Sequence, residues 1–145
     1  MFRHLLLATD GSELAAKAVT AGLTLARDLK ARVTAVTATE PWTAMVSGDD
    51  LPFTFPIVEY EKAAAKSAAH ILAKVTEEAG RFGLDCQTVH VTDFPAEAII
   101  AAAKAKGCDL IVMASHGRRG VARLLLGSQA NKVLTLSTIP VLICR

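Results

Sequence analysis

Two short segments carry residue types that could hold an anion. Ala8-Thr9-Asp10-Gly11-Ser12 follows an apolar run near the start of the chain, and ASHGRRGVARLLLGS spans residues 114 to 128. Glycine permits φ above zero or close approach to bare backbone. Gly127-Ser128 opens a helical pattern, whose first-turn amides point outward unpaired. A phosphate there could be held by backbone N–H groups and the helix dipole together. Gly117, Gly120 and Gly127 read equally as turn residues, since scattered glycines make a weak signal. Neither the Gly-x4-Gly-Lys-Ser/Thr loop nor Gly-x-Gly-x-x-Gly after the first strand is present. Arg118 and Arg119 carry guanidinium forks that suit phosphate oxygens, or else stand as solvated loop charges.

Other reactive types form no constellation. His4, His70, His90 and His116 are scattered, with no HExxH, so a metal site built from them is not expected. Ser12 and Ser128 lack the Gly-x-Ser-x-Gly context of a hydrolase nucleophile. Asp93 and Glu97 stand four apart and read as surface helix charges. Cys86, Cys108 and Cys144 are odd in number and widely spaced, which argues against a disulfide framework or structural zinc. Nothing nominates a general base, so no enzyme is read and no catalytic residue is named. Trp42 could lie over a ligand or pack a lid against the sheet edge.

Composition limits the partners. Over 145 residues, 16 Lys and Arg against 14 Asp and Glu leave a charge of +2, too small for a nucleic-acid footprint. The 52% apolar content excludes wholesale disorder. The longest unbroken apolar run, Ala98 to Ala103, is far short of the roughly 20 residues of a membrane helix. Thr9 and Asp10 interrupt the N-terminal run before it reaches signal-peptide length. The expectation is a cytoplasmic protein that spans no membrane.

Positioning the two segments requires alternating strands and helices. Residues 2–8 read as a strand ending at a cluster of turn formers, with Ser12 the N-cap of a helix carrying Leu14, Ala15, Ala18, Val19, Gly22, Leu25, Ala26 and Leu29 at helical spacing. Residues 31–39 are rich in β-branched types and form a second strand. Residues 40–57, with three prolines and no period, form a long irregular excursion of the kind that serves as a binding lid. A helix over 58–81 has the stripe Ala64, Ala68, Ile71, Leu72, Val75 and Ala79, with Gly83 as its stop. Residues 86–92 alternate as a strand, Pro95 opens a helix ended by Gly107, and 109–114 is a continuous apolar run that should be a central, buried strand. A helix over 128–137 and a strand over 140–144 complete a doubly wound α/β pattern, with no linker or repeat to divide residues 1–145 into two domains. Ligands of such sheets bind beyond the strand C-termini, where the strand order reverses.

LLLATDGSELA, DLIVMASHGRRG, RLLLGSQANKVL and IPVLICR together resemble the universal stress protein (UspA) superfamily, over nearly the whole chain. ATP-binding members carry Gly, two residues, Gly, nine residues, then Gly and Ser or Thr. Gly117, residues 118–126, Gly127 and Ser128 match, while the leading glycine is replaced by Ala114. If that glycine needs a left-handed conformation, alanine costs about 1 to 2 kcal/mol and weakens binding. If it serves only close approach, a small shift accommodates the methyl. Asp93 stands where the family often has glycine, away from the phosphate end.

The resemblance implies a Rossmann-like, adenine nucleotide alpha hydrolase-like fold: a five-stranded parallel sheet in the order 3-2-1-4-5, helices on both faces, and a pocket above strands one and four. Ala8 and Thr9 would border the base or ribose. Asp10 would face the ribose and phosphates or a bound Mg. Ala38 would offer backbone groups to adenine. Met113 and Ala114 would lie against sugar and base, and His116, Gly117, Arg118, Arg119 and Gly120 would begin the phosphate cradle. Gly127, Ser128 and Gln129 would complete it with backbone amides and the Ser128 hydroxyl. The implied protein is an ATP-binding (or AMP- or ADP-binding) stress-response sensor or regulator. It would be a homodimer through antiparallel final strands that bury Val141, Leu142 and Ile143. One alternative is a dimeric interaction scaffold of the same fold with an empty pocket. Another is an adenylate-forming or pyrophosphatase enzyme, which predicts an SGGxD-type loop after strand one that ATDGS lacks.

Overall fold

The computed structural model describes residues 1–45, 56–118 and 125–145. Its strands are β1 (His4–Ala8), β2 (Arg32–Thr39), β3 (Cys86–Thr92), β4 (Leu110–Ala114) and β5 (Val141–Cys144). Its α-helices are α1 (Glu13–Leu29), α2 (Ile57–Arg81), α3 (Pro95–Lys106) and α4 (Ser128–Leu136). All strand pairs are parallel and the order is β3-β2-β1-β4-β5, as the resemblance implies.

Local signals explain the boundaries. The Ser12 hydroxyl accepts from Ala15 N at 3.2 Å and caps α1. Pro95 opens α3, and Gly107 ends it at φ 69, in the left-handed region. Leu5, Leu6, Leu7, Ile111 and Val112 on β1 and β4 are almost wholly buried, because helices cover both faces of the sheet. One core joins α1 and α2 to the sheet through Leu7, Val19, Leu23, Val33, Leu72 and Val112. The other joins α3 and α4 through Leu6, Val36, Ile99, Ala103, Ile111 and Val133. A methyl on Gly22 would come within 2.3 Å of Leu7 Cδ2, so glycine there lets α1 lie close against β1.

The excursion after β2 starts with a 3₁₀ turn, Trp42–Met45. The rest of the expected lid, residues 46–55, and the expected loop residues Arg119 and Gly120 lie outside the described residues. Among the described residues no helix is long and apolar enough to cross a membrane.

Candidate functional site

Every right-handed β-α-β connection sets a helix N-terminus beside the C-terminal ends of the strands. The chain leaves β1 toward β2 on one side and returns to β4 on the other, so the connections after β1 and β4 diverge and open a crevice. A cavity of about 720 Å³ occupies it. That lies within the range of roughly 300 to 1,000 Å³ typical of small-molecule sites.

Ala8, Thr9, Asp10, Ala38, Met113, Ala114, His116, Gly117, Arg118, Gly127, Ser128 and Gln129 all line this cavity. Trp42 does not. The Thr9 hydroxyl accepts from Gly11 N at 3.1 Å, and the Asp10 carboxylate accepts from Ser12 N at 2.9 Å. These bonds hold the ATDGS turn, with Gly11 at φ 79. The other Asp10 oxygen accepts from Arg118 N at 2.8 Å, which ties the β1 turn to the segment after β4. The His116 ring bonds Ser115 Oγ through Nδ1 at 3.0 Å, while its buried Nε2 has no hydrogen-bond partner among the described residues.

The donors differ from the sequence expectation at one point. The Gly127 amide donates to Ser115 O at 2.7 Å and closes the base of the 115–127 loop, so it is not presented to a ligand. A Cβ at Gly127 would stand 2.8 Å from that same oxygen, and this packing of backbone on backbone is what requires glycine. Among the described residues no side chain caps α4, so its outward amides begin at Ser128. The Gln129 side chain is also directed elsewhere: Oε1 accepts from Ala96 N at 3.1 Å and caps α3. Lys132 pairs with Glu97 beside it, and this hydrogen bond holds the Glu97 carboxyl below its ordinary range. Asp93 caps Phe94 N at 2.7 Å. Asp93 and Glu97 are therefore tied to the first turn of α3.

Ala114 resolves the question set by the missing glycine. It ends β4, and the only described non-glycine residue with positive φ is Lys30. Its methyl packs with Ala15 and Ala18 at the cavity wall, so the left-handed penalty does not arise here.

One wall escaped the sequence reading. Tyr60, Ala64, Ser67, Ala68 and Ile71 of α2 line the cavity, and the Tyr60 hydroxyl donates to Glu40 O at 2.7 Å. The signal was partly visible, since Ala64, Ala68 and Ile71 belong to the expected apolar stripe. That stripe divides: Leu72, Val75 and Ala79 enter the core, while the N-terminal part of the helix faces the crevice. Periodicity registers a face but not what the face meets. Among the described residues no group of three His, Cys, Asp or Glu could hold a metal.

Comparison with known proteins agrees with this architecture. The family model described as the universal stress protein family matches residues 1–145. The universal stress protein YxiE of Bacillus subtilis is 37% identical over 152 residues, covering all of both chains. The universal stress protein MJ0531 of Methanocaldococcus jannaschii is 27% identical, covering all of this chain and 83% of that one. Among solved structures, hypothetical protein MJ0577 superposes with a TM-score of 0.80 at 25% identity, over 99% of this chain and 96% of the other. A universal stress protein solved in complex with cAMP superposes with a TM-score of 0.74 over 99% of this chain and 97% of its own, at 24% identity, and so shares the fold. A family model matched over the full chain, a relative alike from end to end and a sheet in the order β3-β2-β1-β4-β5 agree, and the chain belongs to the universal stress protein family.

Proposed function

We propose that the protein is an adenine-nucleotide-binding sensor or regulator of stress responses, with ATP its ligand. The observation that carries this reading is the gathering of the ATDGS turn, the β4 exit and the uncapped α4 N-terminus around one cavity of about 720 Å³. Two proteins of the same fold, the complex with cAMP and an Archaeoglobus fulgidus universal stress protein in complex with dAMP, hold adenine mononucleotides. Ala8, Thr9, Ala38 and Met113 border base and ribose, with Ala114 against the sugar. The amides and hydroxyl at Ser128, the Gln129 amide, and His116, Gly117 and Arg118 face the phosphates.

Asp10 suits a Mg ion brought by the nucleotide. Each of its carboxylate oxygens accepts one amide and keeps a lone pair, and Mg is usually held by one or two carboxylates plus substrate phosphates. Bound Mg would neutralise phosphate charge beside the Asp10 carboxylate. We expect slow hydrolysis at most, because no residue of the sequence is nominated as a general base.

β5 ends the sheet, its outer edge unpaired among the described residues, and Leu142 is 40% exposed, with Leu134 and Leu136 of α4 also exposed. A second copy pairing there through Val141, Leu142 and Ile143 covers the edge. Sedimentation at micromolar concentration should give a dimer, and a monomer would remove this part.

Titration calorimetry with Mg-ATP, and mass spectrometry of nucleotide released from denatured protein, test the main reading. Ser128→Glu places a carboxylate where the phosphates would lie, while suiting a helix N-terminus. Binding in the wild type and its loss in this variant are expected. No heat at millimolar Mg-ATP together with no released nucleotide would favour the empty-pocket scaffold.

A further inference from the structure

We infer that Asp10 and Gly117 form a single positioning device, in which residue 117 is glycine because the Asp10 carboxylate occupies the space of a side chain. Asp10 Oδ2 accepts from Arg118 N at 2.8 Å, a bond between residues 108 positions apart. A Cβ at Gly117 would stand 2.8 Å from that same oxygen, and its only other contact within 4 Å among the described residues is Asp10 Cγ at 3.9 Å. Among the described residues nothing else restricts position 117, and its φ is not positive.

A carboxylate at the end of a mobile side chain would ordinarily step aside for a methyl. Asp10 cannot do so without loss. Its Oδ1 is held by Ser12 N at 2.9 Å, and Gly11, at φ 79, fixes the turn that aims the side chain at residue 118. An alanine at 117 must therefore break the bridge to Arg118 N. Shortening Asp10 to alanine breaks the same bridge and also empties the space that the new methyl needs. The two residues act through one bond, which sets where the 115–118 segment leaves β4 and so where its remaining amides point.

The effect on ligand affinity rests on the proposed nucleotide site, while the effect on the free protein does not. Asp10→Ala, Gly117→Ala and the double variant, compared with wild type, complete a double-mutant cycle. Mg-ATP affinity by calorimetry and urea unfolding of the nucleotide-free protein are the two readouts. Gly117→Ala in the wild-type background should weaken Mg-ATP binding about tenfold, the worth of one hydrogen bond to a charged acceptor. In the Asp10→Ala background the same substitution should cost nothing further, whatever Asp10 contributes to the ligand directly. Unfolding midpoints should show the same pattern. In amide exchange, Arg118 N–H should lose protection equally in both single variants. A further loss of about tenfold on adding Gly117→Ala to Asp10→Ala, or an Arg118 amide still protected in Gly117→Ala, would overturn the inference. If the wild type binds no Mg-ATP, the unfolding cycle and the Arg118 amide decide the inference alone, while the nucleotide reading falls separately.

Discussion

β1 and β4 are clamped at both ends by an aspartate, and the two clamps differ in what surrounds them. At the lower end, Asp109 accepts from Arg3 N with both oxygens, at 3.1 and 2.9 Å, and from His4 N at 3.0 Å. At the upper end, Asp10 accepts from Ser12 N and Arg118 N. The lower clamp seals a closed layer: His4 is 4% exposed, and its Nε2 bonds Thr34 Oγ1 at 2.7 Å within the sheet. The upper clamp borders an open cavity beside an uncapped helix end. The same chemistry, a carboxylate taking two or more amides from separated segments, fastens the fold below and shapes a site above. What distinguishes the two is the direction of the strands, since all of their C-termini and all of the following helix N-termini lie at one end.

The largest expected break in this comparison comes from Asp109→Ala. Removing the acceptor for Arg3 N and His4 N should lower unfolding free energy by about 1.5 kcal/mol in urea titration and leave Mg-ATP affinity unchanged. Equal loss of affinity would show that the two ends are not separable.

Acid sharpens the comparison next. Burial, with Arg32 nearby, pushes His4 below its ordinary value of 6.5, against the raising influence of Asp109 and the Lys106 carbonyl. The unfolded chain therefore takes up a proton that the folded chain resists. Stability is fully present above pH 6.5 and should fall as pH drops through the folded value. Burial tends to raise Asp109, but the Arg3, His4 and Asp109 amides prevail and hold its carboxyl below 3.8, so its contribution should be lost only in stronger acid. Urea midpoints across pH 8 to 4 should show the first decline in wild type and a flatter profile in His4→Gln. A matching decline in both would remove His4 as its cause.

The smallest effect concerns the thiols. Burial pushes Cys86 and Cys108 up to about 11 and raises Cys144 as well. Thiolate being the reactive form, labelling by iodoacetamide at pH 8 should be slow in native protein and rapid in urea. Fast native labelling of Cys86 would show that its strand edge is more open than its half-buried state indicates.

Much of this architecture was legible in the chain because short-range rules wrote it. Ser12 caps α1, Pro95 opens α3, Gly107 closes it, and the run at Leu110–Ala114 is buried as a central parallel strand must be. The two loops that flank the cavity were also legible, since glycine spacing after an apolar run is a local signal. The strand order came from family resemblance, because periodicity carries no information on which strands are neighbours.

How the glycines are used follows from contacts made in the folded chain. Gly127 is glycine because Ser115 O lies against it, and Gly117 because the Asp10 carboxylate does, both being contacts between segments that no local pattern records. The fold also fixes that the Gly127 amide is engaged, that Gln129 caps α3, and that half of the α2 stripe lines a cavity. Which residues form helices and strands is written locally, because backbone propensity and periodicity act over a few neighbours. Which donors remain open to a ligand depends on contacts across more than a hundred positions, and those exist only once the sheet has assembled.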